Sequence, residues 1–262
     1  GRIAWPSLGR QSDPTTVLVP LCAAAVAVAC GWALFTPRSG LRLALYAGFV
    51  PIAFVLLDRM LPFFSRKLPG FDGHRKGGLM PMLVGLIPLR VYGELGPSGR
   101  SIDPDLVGNG SLAGLASLGL LVVVLRQAHG WRPLIGLKEP LVAVLHFGWM
   151  AFAAGFAADA LMPLGLTLPG AGLHFHTLGL LTLLFGFGIR VLRGHAGRGL
   201  ALGVDGAVLI GILALVMVGR AVLPLLHITD PLWIWLVPGA GLSLAFALWG
   251  LRWGPLAAEA SG

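Results

Sequence analysis

The sequence predicts an all-α protein, a polytopic transmembrane helix bundle of about seven or eight spans. Of its 262 residues, 56% are hydrophobic and only 11% are charged, and the mean hydropathy is +0.84. A soluble domain has about 25% charged residues, so this chain lacks the charge that covers a surface facing water. Alternating polar and apolar strands are absent, which argues against a membrane barrel.

The apolar stretches predict where the helices cross the membrane. A spanning helix needs about 20 mostly apolar residues. Six stretches meet this length, one at 41–57 is slightly short, and one at 78–91 is a half-span interrupted by two prolines. The eight predicted spans are 16–35, 41–57, 78–91, 106–125, 139–161, 172–192, 200–226 and 231–251. The 78–91 span is predicted to be short, and broken, tilted or re-entrant. Residues 1–262 therefore form a single transmembrane domain.

The positive charges predict the orientation of these spans. With eight spans, fourteen Lys and Arg residues fall on one side and five on the other. The five are Arg38, Arg42, Arg90, Arg100 and Arg220. Because cytoplasmic loops are rich in Lys and Arg, both termini are placed in the cytoplasm. The net charge of +8 then reflects topology and contact with anionic lipids, and it does not indicate nucleic acid binding.

Several signatures of soluble enzymes are missing from the sequence. It contains no glycine-rich phosphate loop, no Cys-x-x-Cys or Cys-x-x-Cys-His motif and no His-Glu-x-x-His motif, so covalent haem attachment and nucleotide hydrolysis have no support. The sequence begins with Gly1 and has no signal-peptide layout, and we expect it to be a segment of a longer protein.

Ionisable side chains at membrane depth are candidate functional residues, because each costs roughly 2.5–3.5 kcal/mol on insertion scales. His146 lies about 10 Å inside its predicted span, Asp205 enters from the same side, and Arg190 ends the span between them. These three side chains are candidates to converge, either as a ligand or proton-handling histidine beside an ion pair, or as a structural polar cluster. Asp159 and Arg220 are a second candidate pair, and each is equally consistent with a residue at the membrane boundary.

Two histidines begin the sixth predicted span at its opposite end. His174 and His176 are separated by about 200° of helical rotation, so only one of them is a candidate metal ligand. His174 shares its face with Thr177, whereas His176 shares its face with apolar residues such as Leu180. This pattern favours His174 as the ligand, with an ordinary interfacial anchor as the alternative for His176.

Depth limits how these histidines share a metal. Two imidazoles on one iron or copper ion must lie within about 4 Å, at roughly 2 Å per metal–nitrogen bond. His146 and His174 are expected to lie about 15 Å apart along the membrane normal. The sequence therefore predicts either two sites, one near each face, or single histidines completed by partners from elsewhere.

A basic stretch follows the sixth predicted span. It contains Arg190, Arg193, His195 and Arg198 among three glycines, and guanidinium groups suit the binding of carboxylates or phosphates. Haem propionates and lipid headgroups are such anions, and a basic cytoplasmic anchor is the alternative.

A second motif follows the second predicted span. In it, Pro62, Phe63 and Phe64 are typical of a helix that ends at the membrane interface. Arg59 precedes them, and within the helix it would need a buried partner, for which Asp58 is a candidate.

Three separated stretches resemble the NnrS family. Residues 59–66, Arg-Met-Leu-Pro-Phe-Phe-Ser-Arg, resemble its Arg-x-x-Pro-Phe-Phe-Thr-Arg signature, and Leu145-His146-Phe147-Gly148-Trp149 resembles its Leu-His motif. Residues 173–198 are similar to its closing block of His, Thr-x-Gly, Arg and Gly-His-Thr-Gly-Arg. Ser65 and Ala196 stand where threonine is usual in the family.

The resemblance implies a bacterial inner-membrane protein of about twelve spans that holds haem and copper and protects cells during nitric oxide stress or denitrification. The eight spans would be its C-terminal two-thirds. Its N-terminal helices, which carry a histidine-rich motif, are then partners that complete the metal sites, and nitric oxide is a candidate ligand.

Together, these observations assign candidate roles to seven residues. The candidate metal ligands are His146, His174 and His195, and the candidate haem-positioning residues are Arg59, Arg190, Arg193 and Arg198. No catalytic residue is assigned, and whether a substrate is turned over is left open. The rival hypothesis is a secondary transporter or permease-like subunit without metal, for which the interrupted 78–91 span is the best support.

Overall fold

The computed structural model of the chain describes residues 14–34, 40, 42–65, 68–71, 79–95, 107–167, 170–197, 201–226, 228 and 230–259. These residues fold almost entirely into helices and contain no strand, which confirms the all-α prediction. The helices are α1 (Pro14–Ala33), α2 (Ala44–Ser65), α3 (Leu79–Leu95), α4 (Val107–Gly130), the short α5 (Pro133–Gly136), α6 (Pro140–Leu161), α7 (Ala171–His195), α8 (Gly203–Leu225) and α9 (232–259). Each predicted span corresponds in position to one long helix.

Six of these helices are long and apolar enough to cross a membrane, judged on the described residues. They are α2, α4, α6, α7, α8 and α9. Helices α1 and α3 occupy the places of the first and third predicted spans but are not among the six. The count of seven or eight spans therefore stays a prediction, whereas the membrane-like character of the bundle is confirmed.

Helix α3 is short, as predicted, but it is not broken. It runs through 17 residues as one α-helix, with Pro88 inside it. Pro81 is tolerated because it lies in the first turn, where the backbone N–H groups have no helical acceptor. Pro88 removes one backbone hydrogen bond, a loss that helices in membrane bundles accommodate. The described backbone is therefore one continuous helix, and whether this segment is tilted or re-entrant in the membrane stays a prediction.

The centre of the bundle is the antiparallel contact of α6 with α7. A Cβ atom added to Gly179 of α7 would lie 2.9 Å from the carbonyl oxygen of Gly148 in α6, so the two backbones approach too closely for a larger residue. Such close approach through small residues is typical of helix contacts in membranes. Helix α4 packs against the same α6, where Nε1 of Trp149 donates a hydrogen bond to the carbonyl oxygen of Val124 at 3.1 Å.

Within the described part of the chain, three π-helical turns lie at the end of the bundle where α7 begins. They are Ala44–Phe49 at the start of α2, Val218–Val222 near the end of α8, and Leu232–Leu236 at the start of α9. The last turn of α6, through Asp159, and the first turn of α2, through Tyr46, meet near the first residues of α7. The π-turns of α8 and α9 contact each other. Because π-turns inside helices are frequent at functional sites, this end of the bundle is a candidate functional site.

The close contact between α6 and α7 predicts the effect of a single methyl group. Gly179→Ala forces the two helices apart, and we expect a loss of about 1–3 kcal/mol in the free energy of unfolding. Gly211→Ala in α8 is the matched control, because a Cβ atom there meets nothing within 4 Å, and we expect no loss. Thermal unfolding of the two variants in detergent measures the difference, and equal stabilities would contradict the packing described.

Candidate functional site

Three polar side chains from three helices meet one carboxylate oxygen near the end of α6. Oδ2 of Asp159 accepts a hydrogen bond from the hydroxyl of Tyr46 at 2.8 Å. The same oxygen lies 3.3 Å from Nη2 of Arg90 and 3.3 Å from Nε2 of His176. Because Tyr46 is in α2, Arg90 in α3 and His176 in α7, this Asp159 cluster ties four helices together.

Local sequence places each member of the cluster. Tyr46 lies in the π-turn Ala44–Phe49 of α2, which changes the direction of side chains relative to a regular helix. A glycine at position 172 of α7 lets the carboxylate fit, because a Cβ atom there would overlap Oδ1 of Asp159. Gly155 in α6 likewise lies against the His176 ring, where a Cβ atom would be 2.6 Å from Cε1.

The cluster places a full ion pair inside the helical bundle. Arg90 is 1% exposed and Asp159 is 7% exposed. The guanidinium group of Arg90 also lies 4.5 Å from the centre of the Tyr46 ring, in a cation–π arrangement. Charges buried at this depth are tolerated only when they are paired and hydrogen-bonded, and in membrane proteins they mark functional sites by default.

His176 is enclosed by aromatic rings. Its ring centre lies 4.4 Å from that of Phe156, 5.6 Å from that of Phe152 and 5.4 Å from that of Tyr46. The residue has no exposed surface, and its Nδ1 atom makes no hydrogen bond. His176 is thus tightly packed, and its Nδ1 atom has no hydrogen-bond partner.

Arg220 has a different partner from the one proposed on sequence grounds. Its Nη1 atom donates to the carbonyl oxygen of Ile234 at 3.1 Å, and its guanidinium group lies 4.0 Å from the centre of the Trp235 ring. Asp159 is held by Arg90 instead. The predicted Asp159–Arg220 pair is wrong, because depth along the membrane does not specify which helices are neighbours.

The predicted convergence of His146, Arg190 and Asp205 is also wrong. Nη1 of Arg190 lies 3.5 Å from Oε2 of Glu139, which also caps the first turn of α6. Asp205 pairs with Arg252 of α9 at an exposed position. The physical reason is the order of packing, since α8 carries Asp205 toward α9 rather than toward Arg190.

The three predicted metal ligands lie in three different environments. His146 is buried in α6, and its Nε2 atom makes no hydrogen bond. It faces Gly136 of α5, where a Cβ atom would lie 2.4 Å from Nε2. His174 is half-buried and close enough to Arg220 for an electrostatic interaction. His195 is exposed at the last residue of α7.

These three histidines do not share a metal ion. The contact between Gly148 of α6 and Gly179 of α7 gives a common level along the two antiparallel helices. At 1.5 Å per residue, His146 lies about 3 Å from this level toward the start of α6. His174 lies about 7.5 Å from it in the opposite direction, toward the start of α7. Their axial separation of about 10 Å is smaller than the predicted 15 Å but still excludes a common ion. Within the described ranges, no three His, Cys, Asp or Glu residues are grouped as a metal site.

The whole of this bundle matches one protein family. The family model described as NnrS protein covers residues 2–260 of the chain. The chain belongs to the NnrS family. Neither the curated proteins nor the solved structures compared with it contain a match. The resemblance carried by the motifs at 59–66, 145–149 and 173–198 is therefore confirmed.

Part of the arginine set of this NnrS protein is visible in the structure. Arg190 stacks on the Phe64 ring, 4.1 Å from its centre, so the family-like motifs of α2 and α7 touch each other. Arg193 is half-buried one turn further along α7. The side chain of Arg59 and the whole of Arg198 lie outside the described residues.

Sequence reasoning missed three members of the Asp159 cluster in this NnrS protein. Arg90 was counted only as one of the five positive charges on the less basic side, although it follows Pro88 within the predicted 78–91 span. Tyr46 is one of only two tyrosines in the chain. His176 was left open as a candidate, with an interfacial anchor as the alternative because its helical face is apolar. The sequence did contain one signal for Arg90. A carboxylate at the depth of Asp159 requires a cation at a similar depth, and Arg90 is such a cation.

The Asp159 cluster predicts an asymmetric response to two similar mutations. Asp159→Asn removes the carboxylate charge that faces the buried Arg90, and we expect a loss of about 3–5 kcal/mol in the free energy of unfolding. Asp205→Asn removes an exposed carboxylate and should cost at most about 1 kcal/mol. Thermal unfolding in detergent compares the two, and Arg90→Met added to Asp159→Asn should recover part of the loss.

Proposed function

We propose that this NnrS protein is a haem- and copper-binding protein of the bacterial inner membrane that protects cells against nitric oxide stress. The observation that carries the proposal is His146, a buried histidine of a membrane-like helix with an unpaired ring nitrogen. Imidazole nitrogens are ligands for both iron and copper. The family resemblance supplies the identity of the two metals and of nitric oxide.

The donor atoms of the described residues fit haem iron better than copper. A haem would need only one or two protein side chains as ligands, and His146, whose Nε2 atom has no hydrogen-bond partner, would be one of the residues that hold it. The glycine at position 136 keeps that nitrogen free of a neighbouring side chain. A copper ion needs several ligands that converge, so we propose that residues beyond the described part of the chain complete a copper site.

The basic end of α7 is proposed to hold the anionic edge of the haem. Arg190 and Arg193 lie on the last two turns of α7, and Arg59 and Arg198 belong to the same pair of family motifs. Arg190 is already engaged with Glu139 and Phe64, so a propionate would share or displace the Glu139 contact. Among the histidines, His195 and His174 are weaker candidates because both are at least partly exposed.

A bound haem iron with an open position binds nitric oxide, and this is the chemistry that the group would supply. The protein's own residues then position the iron, keep water from the site and set the charge around it. Buried aromatic rings near His146 serve the second purpose, since Trp131 and Trp149 lie 4.8 Å apart between α6 and the end of α4.

The second candidate function is a secondary transporter or permease-like subunit without metal. Helix α3 is short and contains Pro88 but is continuous, so the main support for this alternative is the buried Arg90–Asp159 pair, the kind of feature that lines ion and proton pathways. Light absorption distinguishes the two functions, because only the metalloprotein is coloured.

The haem proposal predicts the spectrum of the full-length protein purified in detergent. We expect a Soret band, and we expect His146→Ala to reduce it at least tenfold because the haem would lose the side chain proposed to hold it. His129→Ala is the matched control, since His129 is an exposed histidine in the last turn of α4. A colourless wild-type protein would sink the proposal and favour the transporter.

A further inference from the structure

Arg220 is a cation of α8 for which the described residues provide no anion. It lies in the π-turn Val218–Val222, about 7.5 Å before the end of this apolar helix at 1.5 Å per residue. No described carboxylate forms an ion pair with it, and Asp230 instead accepts a hydrogen bond from the backbone N–H of Leu232. A charge within a span is costly without a partner. Carboxylates neutralise other arginines of the chain, in the pairs Arg90–Asp159, Arg190–Glu139 and Arg252–Asp205.

Two contacts with α9 hold the guanidinium group of Arg220 at the edge of the bundle. Nη1 donates to the carbonyl oxygen of Ile234 at 3.1 Å, and the group lies 4.0 Å from the centre of the Trp235 ring. A guanidinium group has five N–H donors, and the Ile234 contact uses one of them. Arg220 is half-buried, and its nitrogens are not among the buried polar atoms that lack a partner. The remaining donors are therefore accessible from the surface of the bundle.

His174 lies beside Arg220 at the start of α7. It is half-buried, and it is close enough to the guanidinium group for an electrostatic interaction. A neighbouring positive charge opposes the binding of a metal cation at the imidazole and favours an anion. The carboxylate of Asp159 lies at the same end of the bundle, but Arg90 already neutralises it. The charges around Arg220 therefore favour an anionic ligand.

The surroundings of Arg220 favour the phosphate of a lipid over a soluble anion. Trp233 and Trp235 are 51% and 64% exposed, and tryptophan is enriched where a span meets the lipid headgroups. The adjacent Leu236 is 65% exposed. A phospholipid covers such apolar side chains with its acyl chains while its phosphate reaches the guanidinium group, whereas inorganic phosphate leaves them uncovered.

We propose that Arg220, held between the π-turns of α8 and α9, binds the phosphate group of an anionic phospholipid. Basic side chains between membrane helices bind anionic headgroups in this way. An anionic lipid neutralises the unpaired charge of Arg220, whereas a zwitterionic lipid brings a cation of its own. The lipid site goes beyond the proposed function, since it involves neither haem nor copper.

The test titrates full-length protein in detergent with phosphatidylglycerol and measures bound lipid by native mass spectrometry. We expect a saturable site in the wild type, and we expect Arg220→Gln to raise the apparent Kd about fivefold or more because the charge is lost. Arg252→Gln is the matched control, because Arg252 is an exposed arginine of α9 that already pairs with Asp205. Its Kd should stay within about twofold of the wild-type value. A wild-type Kd in Arg220→Gln, or an equal loss in both variants, overturns the proposal.

Two competing ligands identify the source of the phosphate. Phosphatidylcholine with the same acyl chains should bind more weakly than phosphatidylglycerol, and an excess of inorganic phosphate should not displace the bound lipid. Equal binding of the two lipids overturns the preference for an anionic lipid. Displacement by inorganic phosphate assigns the site to a free anion and overturns the lipid.

Arg220→Lys carries the test if Arg220→Gln does not fold. It keeps the charge but loses the two-pronged geometry of the guanidinium group, so we expect a weaker apparent Kd for phosphatidylglycerol, and an unchanged value overturns the proposal. A Soret band lost in either variant, with lipid binding unchanged, assigns Arg220 to a haem propionate and also overturns it. A wild-type protein without a Soret band overturns only the proposed function and leaves the lipid site standing.

Discussion

The Asp159 carboxylate is the constraint on which the arrangement of helices depends. It lies inside a bundle of apolar helices, where water does not replace a missing partner, so its charge requires a cation and hydrogen-bond donors at the same depth. Arg90, Tyr46 and His176 provide them from α3, α2 and α7. Because each donor belongs to a different helix, the carboxylate fixes how these helices sit around α6.

The α6–α7 pair gives this cluster its rigid support. Glycines at positions 148 and 179 bring the two backbones together, and Gly155 and Gly172 make room for the His176 ring and the Asp159 carboxylate along the same contact. A buried polar network without space to relax holds its groups in one geometry. The same feature that stabilises the bundle therefore also orients the free nitrogen of His176.

The sequence-based predictions succeeded where the physical signal is local. Long apolar stretches located the helices in order, and even the short α3 was found, because membrane thickness sets the length of a span. His146 was correctly singled out as an ionisable residue within a span. The predicted pairing of charged side chains was wrong, because Arg190 binds Glu139 and Asp205 binds Arg252. Which helices are neighbours is a property of the packed bundle and not of each segment. Arg90 was counted only as a topological charge because it lies near the end of its predicted span, although its side chain is buried.

The amino-acid sequence by itself determined the helical class, the membrane-like character, the family and the list of ionisable residues at depth. These properties follow from composition, from the length of apolar stretches and from motifs that are contiguous in the chain. Only the tertiary structure decided that Asp159 meets Arg90 rather than Arg220, and that His176 rather than His174 is the enclosed histidine. The reason is that rotation about a helix axis and the identity of the adjacent helix depend on side-chain packing between segments far apart in sequence.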